Sequence, residues 1–143
     1  MIRAVLDVNT LASAALNEQG LPALVSNLAF AGAFELVVSN HIIEKLAEVF
    51  GRPYFVRNVP EHERERILAA LTKDLLLIEP DDTVRGVAPD LEDDLVLGTS
   101  VAANADFLVT GDKGLIAIGE YRGVRIITAG SFLEALAEAE GNR

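Results

Sequence analysis

Five short apolar runs, each separated from the next by longer stretches with helical spacing, set the strongest constraint on how this chain folds. They are IRAVLD (2–7), FELVVS (34–39), the run leading into LLLIEP (strand at about 75–79), FLVTGD (107–112) and VRIIT (124–128). Runs this short, bounded by polar residues, read as buried strands. Strands that alternate with helices are joined by crossovers and form a mainly parallel sheet covered by helices. The expectation is one three-layer α/β domain over residues 1–143, a length that allows a single sizeable core.

The intervening segments carry helix signals. TLASAAL (10–16) opens one helix, and Leu21, Leu24, Val25 and Leu28 fall on one face of the next, with Pro22 in its first turn and Gly32 as a stop. A third helix is capped by Ser39 or Asn40 and is expected to turn Ile43, Leu46, Ala47 and Phe50 to the core. GRPYF interrupts the pattern, which resumes in the helix starting at Pro60. Residues 80–91 read as a polar loop, about 92–104 as a helix, GLIAIGEY as a short helix and SFLEALAEAE as a final one.

Composition narrows the chemistry. The chain has no cysteine, which removes disulfides and thiolate metal sites. With two histidines, any metal site must be rich in oxygen, which favours Mg²⁺ or Mn²⁺ over zinc. No apolar run approaches the roughly 20 residues of a membrane span. The opening MIRAVLDVNT reads as a strand and not as a signal peptide, so the expectation is a soluble cytoplasmic protein with no membrane partner. A net charge of −10 argues against attraction of nucleic acid by bulk charge. The charge is uneven, however. Residues 79–94 hold seven acids and one arginine, whereas 52–66 hold Arg52, Arg57, Arg64 and Arg66.

In a parallel sheet, sites form where loops converge at the carboxyl ends of strands. Asp7 ends the first strand, Asp112 follows FLVT, and Asp93 and Asp94 open the helix before it. Glu44 sits early in the helix after FELVVS, with Glu48 a rival one turn on. Acids gathered on one rim repel one another unless protonated or bridged by a cation. Asp90 reads as an N-cap with Asp93 in capping-box spacing, and Glu92 as a solvated acid. His41 and His62, in polar helix-start surroundings, are not expected to be ligands.

VLDVNTLASA, an acid in the helix after the second strand, and PDLEDDLVLGTSVAANADFLVTGDKGL together resemble the PIN-domain ribonucleases, and within them the VapC-like toxins of type II toxin–antitoxin systems. The resemblance spans nearly the whole chain, in order. It implies a PIN fold and a four-acid pocket that binds one or two Mg²⁺ or Mn²⁺ ions and hydrolyses RNA phosphodiester bonds. It also implies an antitoxin protein as partner and assembly as a homodimer. Carried over by position, Asp7, Glu44 and Asp112 match three of the acids. The family pattern D-x-x-D-N falls on Asp90, Asp93 and, in the Asn place, Asp94, so the remaining ligand is Asp93 or Asp94, with the pattern favouring Asp93. Asn9, Thr10, Ser13 and Thr110 match polar residues that support the acids. Val8 and Asp94 depart from the family's usual Thr and Asn. Arg52, Arg57, Arg64 and Arg66 are the groups expected to meet RNA.

Two other readings compete. A haloacid-dehalogenase-type phosphatase also places an Asp after its first strand, but needs an acid two residues later, where this chain has Asn9. A scaffold that binds RNA or protein without turnover is the other. Retention of acids at all four positions argues against it, because surplus buried carboxylates offer no structural advantage.

Overall fold

The computed structural model describes residues 1–73 and 76–141. In chain order the elements are β1 (Arg3–Leu6), α1 (Val8–Leu16), α2 (Leu21–Phe30), β2 (Glu35–Val38), α3 (Asn40–Phe50), α4 (Pro53–Asn58), α5 (Glu61–Thr72), β3 (Leu76–Leu77), α6 (Leu91–Ala102), β4 (Phe107–Val109), α7 (Lys113–Ile118), β5 (Glu120–Tyr121), β6 (Val124–Ile127) and α8 (Ala129–Gly141). The described residues thus form the α/β architecture expected from the alternating pattern.

The six strands lie in the order β3-β2-β1-β4-β6-β5, and every pairing is parallel except β5 with β6. From β1 the chain winds outward through β2 to β3, then returns to place β4 on the other side of β1. The crevice between the carboxyl ends of β1 and β4 is therefore a topological switch point, where α/β sheets place their sites. Register sets it residue by residue: Leu6 pairs with Val109, so Asp7 and Thr110 leave the sheet side by side.

β1 and β4 carry almost no polar side chains because they are buried on both faces; Val5, Leu6, Leu108 and Val109 are at most 1% exposed. α6 packs across β1, β2 and β4, and α8 covers β4. α8 is anchored by Phe132, which meets Phe34 and Phe107 edge-on with ring centroids 4.8 and 5.6 Å apart. A polar loop carrying Asp81 lies against α6, where Gly98 permits the contact: an added Cβ would stand 2.8 Å from the Asp81 carbonyl oxygen.

Several expectations need correction. GRPYF does not simply interrupt the pattern but leads into α4, a six-residue helix with no buried residue. GLIAIGEY is helical only to Ile118; Glu120 and Tyr121 then turn back as β5. The third strand is seen at Leu76–Leu77, and Leu75, its expected first residue, lies outside the described residues. The most consequential difference is in α3. Its buried face is Ile42, Leu46, Val49 and Phe50, while Ala47 is exposed. At 100° per residue this face lies about 65° around the helix from the expected one.

Candidate active site

Asp7 is the first residue past β1. Its backbone N–H donates to the Val109 carbonyl at 3.2 Å, which ties it to β4. The side chain is 4% exposed and caps α1, with Oδ1 accepting from the Thr10 N–H at 2.8 Å. Oδ2 accepts from the Thr110 hydroxyl. Burial pushes the Asp7 carboxyl above the ordinary range, and the Thr10 and Thr110 hydrogen bonds offset only part of that rise.

The Thr110 hydroxyl also accepts from the Asp112 N–H at 3.0 Å, so one oxygen ties the two acids together. Asp112 in turn caps α7, its Oδ2 accepting from Leu115 N–H at 2.9 Å. Its neighbourhood is crowded. A Cβ added at Gly114 would run into Pro89 Cγ and stand 3.2 Å from Asp112 Oδ2, so only glycine lets the loop before α6 close over the start of α7.

Asp90 caps α6, accepting from the Asp93 N–H at 2.8 Å, as its capping-box spacing foretells. The next two acids then part company. Asp94 is 5% exposed and faces the loop, where its carboxylate accepts from the backbone N–H groups of Gly86 (2.8 Å), Val87 (3.1 Å) and Ala88 (2.8 Å). Burial works against its charge, yet these three donors outweigh it and hold the carboxyl below the ordinary range. Asp93 lacks such a cradle. It is pushed up to about 6, first by desolvation and then by the charges of Asp90, Asp112 and Asp7.

Asp7, Asp93 and Asp112 line one pocket of about 130 Å³, together with Asn9, Asp90, Glu92, Val8, Val96, His41 and Lys45. Glu44, expected as the fourth acid, is exposed and does not line this pocket. The rotated face of α3 points Glu44 away from the core and brings His41 and Lys45, one turn apart, to the pocket wall. Lys45 Nζ lies 3.0 Å from both Glu48 Oε2 and Glu92 Oε1. Its hydrogen bonds to Glu92 and Glu48 hold the amine above the ordinary lysine range, keeping it an ammonium. His41 Nε2 is buried with no hydrogen-bond partner among the described residues. The i, i+4 polar pair beside an apolar stripe was the signal in the sequence that identifies these two residues.

Of the supporting residues, Thr10 Oγ1 donates to the Val109 carbonyl at 3.3 Å, and Asn9 lines the pocket. Ser13 is exposed and outside the lining. None of the four arginines lines it either. Arg52 pairs with Glu48 at 3.2 Å, Arg66 forks onto Glu63 at 2.5 and 3.0 Å, and Arg64 donates to the Val59 carbonyl at 3.1 Å. Arg57 is exposed on α4. A roomier cleft of about 320 Å³ beside Glu18, Glu63 and Arg66 has no comparable convergence of carboxylates.

The PIN domain family profile matches residues 3–114, which covers β1 to the start of α7 and all four aspartates that line the pocket. The chain belongs to the PIN domain family. PIN domains are generally nucleases. No curated protein sequence matches this chain. Among solved structures, PAE2754 from Pyrobaculum aerophilum aligns with a TM-score of 0.62 at 18% identity, over 96% of this chain and 90% of that one. VapBC2 from Rickettsia felis, determined bound to a DNA fragment from its promoter, aligns at 0.58 and 15% identity over 87% and 97%. The T. brucei RRP44 PIN domain aligns at 0.51 and 12% identity over 99% and 84%. At these identities the likeness is one of fold. No helix among the described residues is long and apolar enough to cross a membrane.

Among the described residues, no three His, Asp or Glu side chains are gathered closely enough to enclose a metal ion as they stand. The donor set nevertheless suits a hard divalent cation. Five carboxylates line one small pocket, and the charges of Asp90, Asp112 and Asp7 help to raise Asp93.

Proposed function

We propose that this PIN domain is a ribonuclease that works with Mg²⁺ or Mn²⁺ held by Asp7, Asp93 and Asp112. The observation that carries the reading is the convergence of Asp7, Asp93 and Asp112 on one pocket at the carboxyl ends of β1 and β4, where the charges of neighbouring acids add to desolvation in raising Asp93 and leave a repulsion unrelieved. A divalent cation is the ligand that removes it. Glu44 and Asp94 have no part in this set: one is exposed away from the pocket and the other is committed to the loop N–H groups.

When bound, the ion supplies an activated water and offsets charge at the scissile phosphate. The chain's own residues prepare the site. Thr110 fixes the spacing of Asp7 and Asp112, and Thr10 orients Asp7 from the first turn of α1. Asp94 braces residues 86–88, so that Pro89 and Asp90 close one side of the pocket over Gly114.

The VapBC neighbour supports a place for this protein as the toxin half of a toxin–antitoxin pair, with an antitoxin as partner, while assembly as a homodimer rests on the family resemblance alone. Lys45 on the pocket wall favours one alternative, a PIN domain that binds RNA without cleaving it. Incubating the purified protein with single-stranded RNA in Mg²⁺, Mn²⁺ or EDTA, beside a chromogenic phosphomonoester, decides between them. Cleavage of RNA alone, abolished by EDTA, is the expected result. Retained binding without cleavage in either metal overturns the nuclease reading.

A further inference from the structure

Resting on the nuclease reading of the pocket, we propose that His41 contacts the substrate, its Nε2–H donating to a non-bridging oxygen of the RNA phosphate. Buried polar side chains are paired almost throughout folded proteins, and one without a partner calls for an explanation. Among the described residues, the buried side-chain polar atoms that lack a hydrogen bond are Ser26 Oγ and His41 Nε2. Of the two residues, only His41 lines the acid pocket.

A phosphodiester is an anion that accepts hydrogen bonds and offers none. The pocket is poor in groups that can meet it. Five of its lining residues are acids, which only accept when ionised, and Val8 and Val96 are apolar. A bound cation offsets part of the charge, but the phosphate oxygens it leaves free still need donors. Lys45 Nζ is committed to Glu48 and Glu92, each at 3.0 Å. Asn9 adds an amide, but from an exposed position where water satisfies it. His41 Nε2 is the shielded donor in this wall that nothing else has claimed. As the Nε2–H tautomer it gives its proton to an oxygen. The terminal torsion of the ring is broad, so a small turn carries Nε2 from its buried place to the pocket space. The nitrogen is already desolvated and breaks no bond in the protein, so contact with the anion replaces nothing.

His41→Leu and His41→Gln test this. In EDTA, His41→Leu should melt at or above the wild type, since a buried nitrogen without a partner costs stability that an apolar side chain does not. Mn²⁺ affinity without RNA, measured by calorimetry, should be unchanged in both variants. Cleavage of single-stranded RNA in Mn²⁺ should fall about ten- to a hundredfold in kcat/KM for His41→Leu, the worth of one hydrogen bond to a charged group. His41→Gln, whose amide still donates, should lose less. On the wild type, NMR of the ring nitrogens with uridine 5′-monophosphate and Mg²⁺ should shift the His41 signal and leave that of His62, exposed on α5, in place. Wild-type kcat/KM in a natively folded His41→Leu would overturn the proposal. So would a fall in Mn²⁺ affinity, which makes His41 a metal ligand, or a loss of Tm that accounts for the lost cleavage. If the wild type cleaves no RNA, the nuclease reading falls; a His41 shift with the nucleotide then still supports the phosphate contact, and no shift ends both.

Discussion

Replacing Asp93 with asparagine should stabilise the metal-free protein at neutral pH and change little in acid. The Asp93 carboxyl stands at about 6 against an ordinary 3.8, raised first by desolvation and then by Asp90, Asp112 and Asp7. Between those two values the folded chain keeps a proton that the unfolded chain has released. Stability therefore falls as pH rises through this window, the reverse of the usual behaviour of a carboxylate in a salt bridge. The full linkage amounts to about 3 kcal/mol, and solvent screening at this partly exposed group reduces it to about 1.5 kcal/mol. The neutral amide of the Asp93→Asn variant carries no such penalty. For a domain of this size the gain corresponds to a rise of about 5 °C in Tm. Asp7, raised by burial, adds a slope of the same sign to both proteins, and because its charge acts on Asp93 the difference between them reports Asp93 together with that coupling. Thermal melts in EDTA at pH 7.5 and pH 4.0 measure it: the variant should melt higher at the first and nearly level with wild type at the second. Saturating Mn²⁺ at pH 7.5 should reverse the order. A variant that is less stable in EDTA at pH 7.5, or equally shifted at both pH values, refutes the repulsion argument.

Thr110→Val should separate the two acids its hydroxyl joins, lowering stability by about 1–2 kcal/mol and weakening Mn²⁺ binding in calorimetry. Gly114→Ala drives a Cβ into Pro89 and toward Asp112; melts should show a loss of about 1–3 kcal/mol, and RNA cleavage should fall with it. Asp94→Asn removes the charge that gathers three loop N–H groups and should cost about 1–3 kcal/mol by urea unfolding, while the Mn²⁺ count stays the same. If that count drops instead, Asp94 belongs among the metal ligands.

Much of the architecture was legible because strand and helix write different periods into the sequence. The buried strands read as apolar runs, and Asp7 and Asp112 were recognisable from their places at the ends of two of them. β5 and α4 were not. A two-residue strand has no period to detect, and α4 buries none of its six residues. In α3 a small change in which residues pack has a large effect on the site. Ile43 and Ala47 extend an apolar stripe as readily as Ile42 and Val49 do, and only packing chooses between them. That choice turned the helix by about 65°, exchanging Glu44 for Lys45 at the pocket. Asp93 and Asp94 were inseparable for another reason. Adjacent helical residues point about 100° apart, and which of them the loop N–H groups capture depends on the path of residues 86–88, which no local pattern encodes.

Asp7→Asn is the most direct test of whether Asp7, Asp93 and Asp112 form a metal-dependent nuclease centre. Asparagine keeps an oxygen for the Thr10 N–H and removes the charge offered to the ion. One cleavage time course on single-stranded RNA in Mn²⁺, comparing this variant with wild type at matched Tm, is sufficient. Cleavage by the wild type and a loss of at least about a hundredfold in the variant are expected, on the order of 3 kcal/mol of transition-state stabilisation. Cleavage by Asp7→Asn at the wild-type rate would contradict this assignment.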